Sequence, residues 1–123
     1  MTKTKYLLLG LHNPSIMYAY SMLAKHHRYE VDNFDELNDL LSACQDEKYS
    51  RIIMDINLES PGSHDITPIL NINRVLKEKI SEGKIKLIGI SGDPSIVKKA
   101  KDAGINSILN ADLSGDDLIK FLE

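Results

Sequence analysis

Residues 51–57 read Arg51-Ile52-Ile53-Met54-Asp55-Ile56-Asn57, an apolar run that stops on a carboxylate. A run that is continuous rather than alternating implies burial on both faces, as a parallel sheet between helical layers requires. Similar runs recur at 6–11 (YLLLGL) and 86–91 (KLIGIS), with a weaker one at 106–109 (NSIL). A fifth, YEVDNF at 29–34, is short and half polar, as an edge strand often is.

Helical patterns fill the gaps between these runs. Asn13-Pro14 opens the first, with Asn as N-cap and Pro at the first helical position, and its apolar stripe is Ile16, Ala19, Tyr20 and Leu23. The second runs from Asp35 to Asp46 with Leu37, Leu40, Leu41 and Cys44 on one face, and the third spans about 66–81 and stops near Gly83. The fourth begins at Asp93-Pro94, buries Ile96, Val97, Ala100 and Ala103, and ends at Gly104, a left-handed C′ residue. The fifth starts at Ser114, where Ser-x-x-Asp117 is a capping-box variant, and carries Leu118, Ile119 and Leu122.

Strand and helix therefore alternate five times along the chain. Right-handed crossovers make this a three-layer, doubly wound α/β sandwich with a five-stranded parallel sheet, and the flavodoxin-like strand order 2-1-3-4-5 is expected. The 123 residues suit a single domain, 1–123, able to bury a core without disulfides. The one cysteine, Cys44, gives no disulfide framework and fits a reducing cytoplasm. No stretch approaches the ~20 apolar residues of a membrane span, and the apolar run after the N-terminal lysines is too short for a signal peptide. A net charge of −3 gives no drive toward nucleic acid or anionic lipid. A soluble cytoplasmic protein with neither partner is expected.

In an open parallel sheet, reacting groups collect at the carboxyl ends of the strands. Those positions hold Gly10, Leu11, His12 and Asn13; Asp55 and Asn57; Ser91, Gly92 and Asp93; and Asn110, Ala111 and Asp112. Asp55 is the informative one, either a reactive carboxylate or an ordinary strand-end residue capping its loop. A single glycine in Gly10-Leu11-His12-Asn13-Pro14 argues against a dinucleotide or P-loop site. Neither the Asp-x-His-x-x-Gly pattern of cobalamin domains nor a Ser/Thr-rich flavin phosphate loop is present, and no Ser-His-Asp or Cys-His arrangement can be argued, so no enzyme activity or organic cofactor is expected.

The segment 51–58 resembles the phosphoacceptor segment of response-regulator receiver domains. Ile90-Ser91-Gly92 resembles that family's strand-four Thr/Ser-Ala, and Ala103-Gly104-Ile105-Asn106-Ser107-Ile108-Leu109 resembles its Ala-Gly-Ala-x-x-Tyr-Leu. The resemblance covers the whole chain and implies Asp55 as phosphoacceptor and Ser91 as a phosphate contact. It also implies Mg²⁺ held by Asp55 and the backbone carbonyl of Asn57. Three positions depart from it: Gly10 and Leu11 stand where the family has its acid pair, Ala111-Asp112 replaces Lys-Pro, and Ile108 replaces the switch aromatic. Phosphoryl transfer to a carboxylate sets like charges together, so losing metal ligands and a lysine predicts slow or absent phosphorylation.

The expected function is a signal-transduction receiver domain of two-component phosphorelay type, acting by protein contact. The alternative is a phosphorylation-independent pseudo-receiver serving as a scaffold, and a third reading is a small ligand-binding or enzymatic domain. The protein partner would be a histidine kinase, a phosphotransfer protein or a downstream target. With the last helix ending at Glu123, output through a partner is expected.

Lys98, Lys99 and Lys101 make the fourth helix basic, either as a solvated face or as part of a helix 4–strand 5–helix 5 surface for partners or a homodimer. Tyr18 and Tyr20 are a further contact candidate, although core packing explains Tyr20 equally well. His12 is a weak metal candidate beside Asp55. His26 and His27 are adjacent and ill placed to share one ion. His64-Asp65 closes the Glu59–Ser63 turn, read as a surface turn or as a gate to the pocket.

Overall fold

The computed structural model describes residues 4–59, 64–105, 108–110 and 114–123. In chain order the elements are β1 (Lys5–Gly10), α1 (Pro14–His26), β2 (Tyr29–Asn33), α2 (Leu37–Ala43), β3 (Tyr49–Asp55), α3 (Thr67–Val75), α4 (Lys77–Ser81), β4 (Lys86–Ser91), α5 (Pro94–Asp102), β5 (Ile108–Asn110) and α6 (Gly115–Leu122). The five strands form one parallel sheet in the order β2-β1-β3-β4-β5, as the alternation predicts.

β3 is the central strand, with Ile52 opposite Leu8 on one edge and Leu87 on the other. Its side chains alternate between two cores. Ile52 and Met54 join Leu40, Ile69, Ile72, Val97 and Ala100 on one face, while Ile53 joins Leu7, Leu9, Tyr20, Ala24 and Leu118 on the other. All three β3 residues are fully buried, which is why this stretch carries no polar side chain. Arg51, at the opposite end, donates from Nε to the Phe121 carbonyl at 2.8 Å, and the Tyr29 hydroxyl donates to the Leu122 carbonyl at 2.6 Å. These two bonds tie α6 to the sheet.

The helix caps follow the sequence. The Asn13 side chain accepts from the backbone N–H of Ser15 and Ile16, Asp93 accepts from Ser95, and Ser114 accepts from Asp117. Gly104 and Gly83 both adopt positive φ, at 95° and 75°, where a Cβ would be strained. Among the described residues, no helix is long and apolar enough to cross a membrane.

Four details differ from expectation. The third predicted helix is two, α3 and α4, parted at Leu76 (φ −100°, ψ 6°), so the predicted fourth and fifth helices are α5 and α6. Leu76 is 1% exposed, and its side chain fixes the break in the core. The second helix is shorter than predicted, with Cys44 at its C-cap, where burial pushes the thiol pKa up. Ala19 is exposed, because the buried face of α1 runs through Tyr20, Ser21 and Ala24 at helical spacing. Ala103 is exposed as the C-cap of α5, past the last turn that faces the sheet.

Two outcomes test this packing. A Cβ on Gly89 would lie 2.2 Å from Ile69 Cδ1 and 3.0 Å from Ile108 Cδ1. Gly89→Ala should therefore lower stability by about 1–3 kcal/mol, more than the backbone entropy gained, seen as a lower urea midpoint at unchanged m-value.

Burial, and the hydrogen bond from its hydroxyl to Asp32 Oδ2 at 2.5 Å, push the Tyr49 pKa up. A folded pKa above the unfolded one means that the unfolded chain loses its proton first, so stability falls as pH rises above about 10. Alkaline denaturation of Tyr49→Phe should show a weaker pH dependence, the remainder coming from Tyr29, whose pKa burial also raises.

Candidate functional site

At the carboxyl end of the sheet a cleft of about 350 Å³ opens between the ends of β1, β3 and β4. Strand pairing sets Asp55 opposite Ile90, the residue before Ser91, so the last residues of β3 and β4 emerge side by side. His12 and Asn13 reach the cleft from the turn after β1, Asp55 and Asn57 from the end of β3, and Ser91, Gly92 and Asp93 from the end of β4. Ile16 and Ile96 complete the lining and were not anticipated from sequence; both lie in the first turn of a helix.

The turn after β3 is held tightly. The Ile56 N–H donates to the Ile90 carbonyl at 3.1 Å and the Leu58 N–H to the Asp55 carbonyl at 3.3 Å. Asp55 and Asn57 are correspondingly buried, at 8% and 6% exposure. Ser91 Oγ accepts from the Asp93 N–H at 3.1 Å while its side chain faces the same cleft as Asp55.

The Asp55 carboxylate is engaged by His12. Its Oδ2 accepts the His12 backbone N–H at 2.9 Å and lies 2.5 Å from His12 Nδ1. A ring nitrogen that close to a carboxylate oxygen carries the proton and donates it, which fixes the tautomer. The histidine side chain is 40% exposed and the aspartate side chain 12%.

Gly10 and Leu11, at the acid-pair positions, serve the cores instead. A Cβ on Gly10 would lie 2.5 Å from Leu40 Cδ2, and Leu11 is buried at 2% exposure beside Leu9 and Tyr20. The Leu11 backbone is clamped by Asn33, which accepts its N–H at 3.1 Å and donates to its carbonyl at 3.3 Å. This contact was invisible in the sequence, because only the β1–β2 pairing brings Asn33 there. Mg²⁺ wants oxygen ligands in near-ideal octahedral geometry. Among the described residues that line the cleft the carboxylates are Asp55, whose Oδ2 already accepts two N–H groups, and Asp93, whose oxygens are engaged by Ser95 and His64, a set that does not suit that ion. Among the described residues, no group of three His, Cys, Asp or Glu residues is placed to hold a metal.

Other candidates separate. Ala111 and Asp112 lie outside the described residues, as do 60–63 of the predicted gate and 106–107 before β5. His26 and His27 stack edge to face with ring centroids 5.7 Å apart, and His27 Nε2 is buried without a hydrogen-bond partner among the described residues. Tyr20 is core at 5% exposure, whereas Tyr18 is 64% exposed. Lys98 pairs with Asp102 at 3.1 Å, and Lys99 donates to the His64 carbonyl at 2.8 Å, so part of the basic face is engaged within the chain.

The structure does bring a serine, a histidine and an aspartate together: His64 Nε2 lies 3.3 Å from both Asp93 Oδ2 and Ser95 Oγ. The two oxygens share one ring nitrogen, whereas a relay needs them on opposite nitrogens. The cluster instead latches the segment before α3 onto the start of α5. The Ser95 side chain and backbone N–H, by donating to Asp93, hold its carboxyl below the usual range.

The fold is shared with solved receiver domains. The chain is similar to the chemotaxis response regulator CheY4 of Vibrio cholerae, at 17% identity and a TM-score of 0.68 over 98% of this chain and 97% of that one. It is similar to a CheY-like response regulator receiver domain protein from Methanospirillum hungatei JF-1, at 17% identity and a TM-score of 0.72 over 96% and 90%. A de novo designed Rossmann 2x3 protein also matches, at 14% identity and a TM-score of 0.61 over 94% and 83%, so the likeness is one of architecture. No protein-family model matches the chain, and no curated protein matches it in sequence.

Removing the Asp55 carboxylate leaves the His12 amide without its partner at the cleft floor. Asp55→Ala should cost about 1–3 kcal/mol in urea unfolding. Asp55→Asn, which keeps an acceptor oxygen, should cost less.

Proposed function

We propose that this chain is a receiver-type signalling domain that works by protein–protein contact and does not use Mg²⁺-dependent phosphorylation of Asp55. One observation carries this reading: Asp55 Oδ2 is taken by the backbone and ring of His12. The residues after β1 that would supply metal ligands are committed to the two cores. Attack by this carboxylate would set negative charge against negative charge, the repulsion that a bound metal ion would have to offset.

For partner contact the surface offers α1. Tyr18 and Met22, one turn apart, are 64% and 53% exposed, and large exposed apolar side chains paired in this way suit a contact face. The α5 face is a weaker candidate, since two of its three lysines are held within the chain.

A second reading, a phosphorelay receiver modified on Asp55, is favoured by the shared cleft of Asp55, Asn57 and Ser91. The two separate on amide NMR and intact mass after treatment with acetyl phosphate or beryllofluoride, with and without Mg²⁺. The proposal expects no Mg²⁺-induced shifts around Asp55 and no Mg²⁺-dependent adduct. A Mg²⁺-dependent mass gain that vanishes in Asp55→Asn would establish the phosphorelay reading instead.

A further inference from the structure

The pairing at the cleft floor leaves one nitrogen unused. His12 Nδ1 faces Asp55 Oδ2 at 2.5 Å and carries the proton of the neutral ring, so in that form the lone pair sits on Nε2. That nitrogen has no partner among the described residues, and the ring lines the cleft beside Asn13 and Ser91. A carboxylate that accepts the Nδ1 proton fixes the ring's orientation and makes the opposite nitrogen more basic. The imidazole is also the accessible member of the pair, at 40% side-chain exposure against 12% for the aspartate.

From this geometry we infer that His12, positioned by Asp55, is a phosphoryl-accepting group that takes a phosphoryl onto Nε2 from a phosphoramidate or acyl phosphate donor. This goes beyond the reading above, which concerns only the Mg²⁺-dependent acyl phosphate on Asp55. The physical case is one of charge. A neutral nitrogen attacks an anionic phosphoryl group without the repulsion a carboxylate meets, so its approach needs no metal cation. The Nε2 lone pair forms the new N–P bond as the donor's bond to phosphorus breaks. The electron pair leaves with an amine, which takes a proton from water, or with a carboxylate, which needs none. The ring, now bearing phosphorus on Nε2 and a proton on Nδ1, is cationic, and Asp55 neutralises it across the existing contact. Asp93 also lines the cleft, but Ser95 and His64 hold its two oxygens, at 2.7 Å and 3.3 Å respectively. Ser91 Oγ is placed to donate to the incoming phosphoryl oxygens from the β4 side.

The test is incubation of the full chain with phosphoramidate, and separately with acetyl phosphate, in Mg²⁺-free buffer and again with Mg²⁺ added. It is followed by intact mass, ³¹P NMR and peptide mapping. The expected product is one adduct on His12, labile to acid but resistant to alkali, and absent in His12→Gln. The donor that produces it identifies the source class, nitrogen-linked or acyl. Asp55→Asn should slow its formation about 10-fold or more, and in Asp55→Ala the imidazole ¹⁵N shifts of His12 should lose the fixed Nδ1–H tautomer.

No adduct from either donor overturns the inference and leaves the protein-contact reading standing. An adduct labile to alkali and mapped to Asp55 overturns it as well, and one that also requires Mg²⁺ overturns both readings. Retention of the adduct in His12→Gln, on His26, His27 or His64, overturns the inference. Should His12→Gln fail to fold, peptide mapping and the acid–alkali profile of the unsubstituted chain decide by themselves.

Discussion

β3 has a paired strand on each edge and a helical layer on each face, so nowhere along its centre can a polar side chain reach water. Burying an unpartnered polar group costs several kcal/mol by some scales, which confines Ile52, Ile53 and Met54 to apolar types. The first position at which a carboxylate is tolerated is the strand's last residue, where the sheet ends and neighbouring turns can donate hydrogen bonds. Asp55 occupies that place, and the cleft at the sheet's edge follows from it.

The same constraint decides what stands beside Asp55. Gly10 and Leu11 follow the period of two at the end of β1, so one meets Leu40 and Met54 and the other meets the α1 and α6 core. Both sites are filled by packing and neither contributes a ligand. His12, one residue further along, turns back to the Asp55 carboxylate with its backbone and its ring. The carboxyl end of the sheet thereby carries a histidine–carboxylate pair.

Side-chain contacts stiffen the frame at both ends of the sheet. Asn33 clamps the Leu11 backbone, and Arg51 and Tyr29 bind the end of α6. The His64–Asp93–Ser95 cluster fastens the segment before α3 to the start of α5. The exposed apolar pair Tyr18 and Met22 lies on α1, the helix whose first turn also borders the cleft. A partner seated there would therefore contact the same helix that carries Asn13 and Ile16 into the site.

The alternation of apolar runs and caps was enough to determine the layer architecture, the strand order and the place of Asp55. Those features depend on burial and local hydrogen bonding, which are written in residue type and period. The caps at Asn13, Asp93 and Ser114 and the left-handed glycine at 104 were legible for the same reason. The break at Leu76, the outward face of Ala19 and the ends of α2 were not, because each is settled by how a helix meets its neighbours and not by its own pattern. The site divides in the same way. Its aspartate, serine and missing acids could be read along the chain, but the Asp55–His12 contact, the Asn33 clamp and the His64 latch join residues 43, 22 and 29–31 positions apart. Contacts between residues so far apart in sequence exist only once the parallel sheet has set the register, and no spacing rule along the chain encodes them.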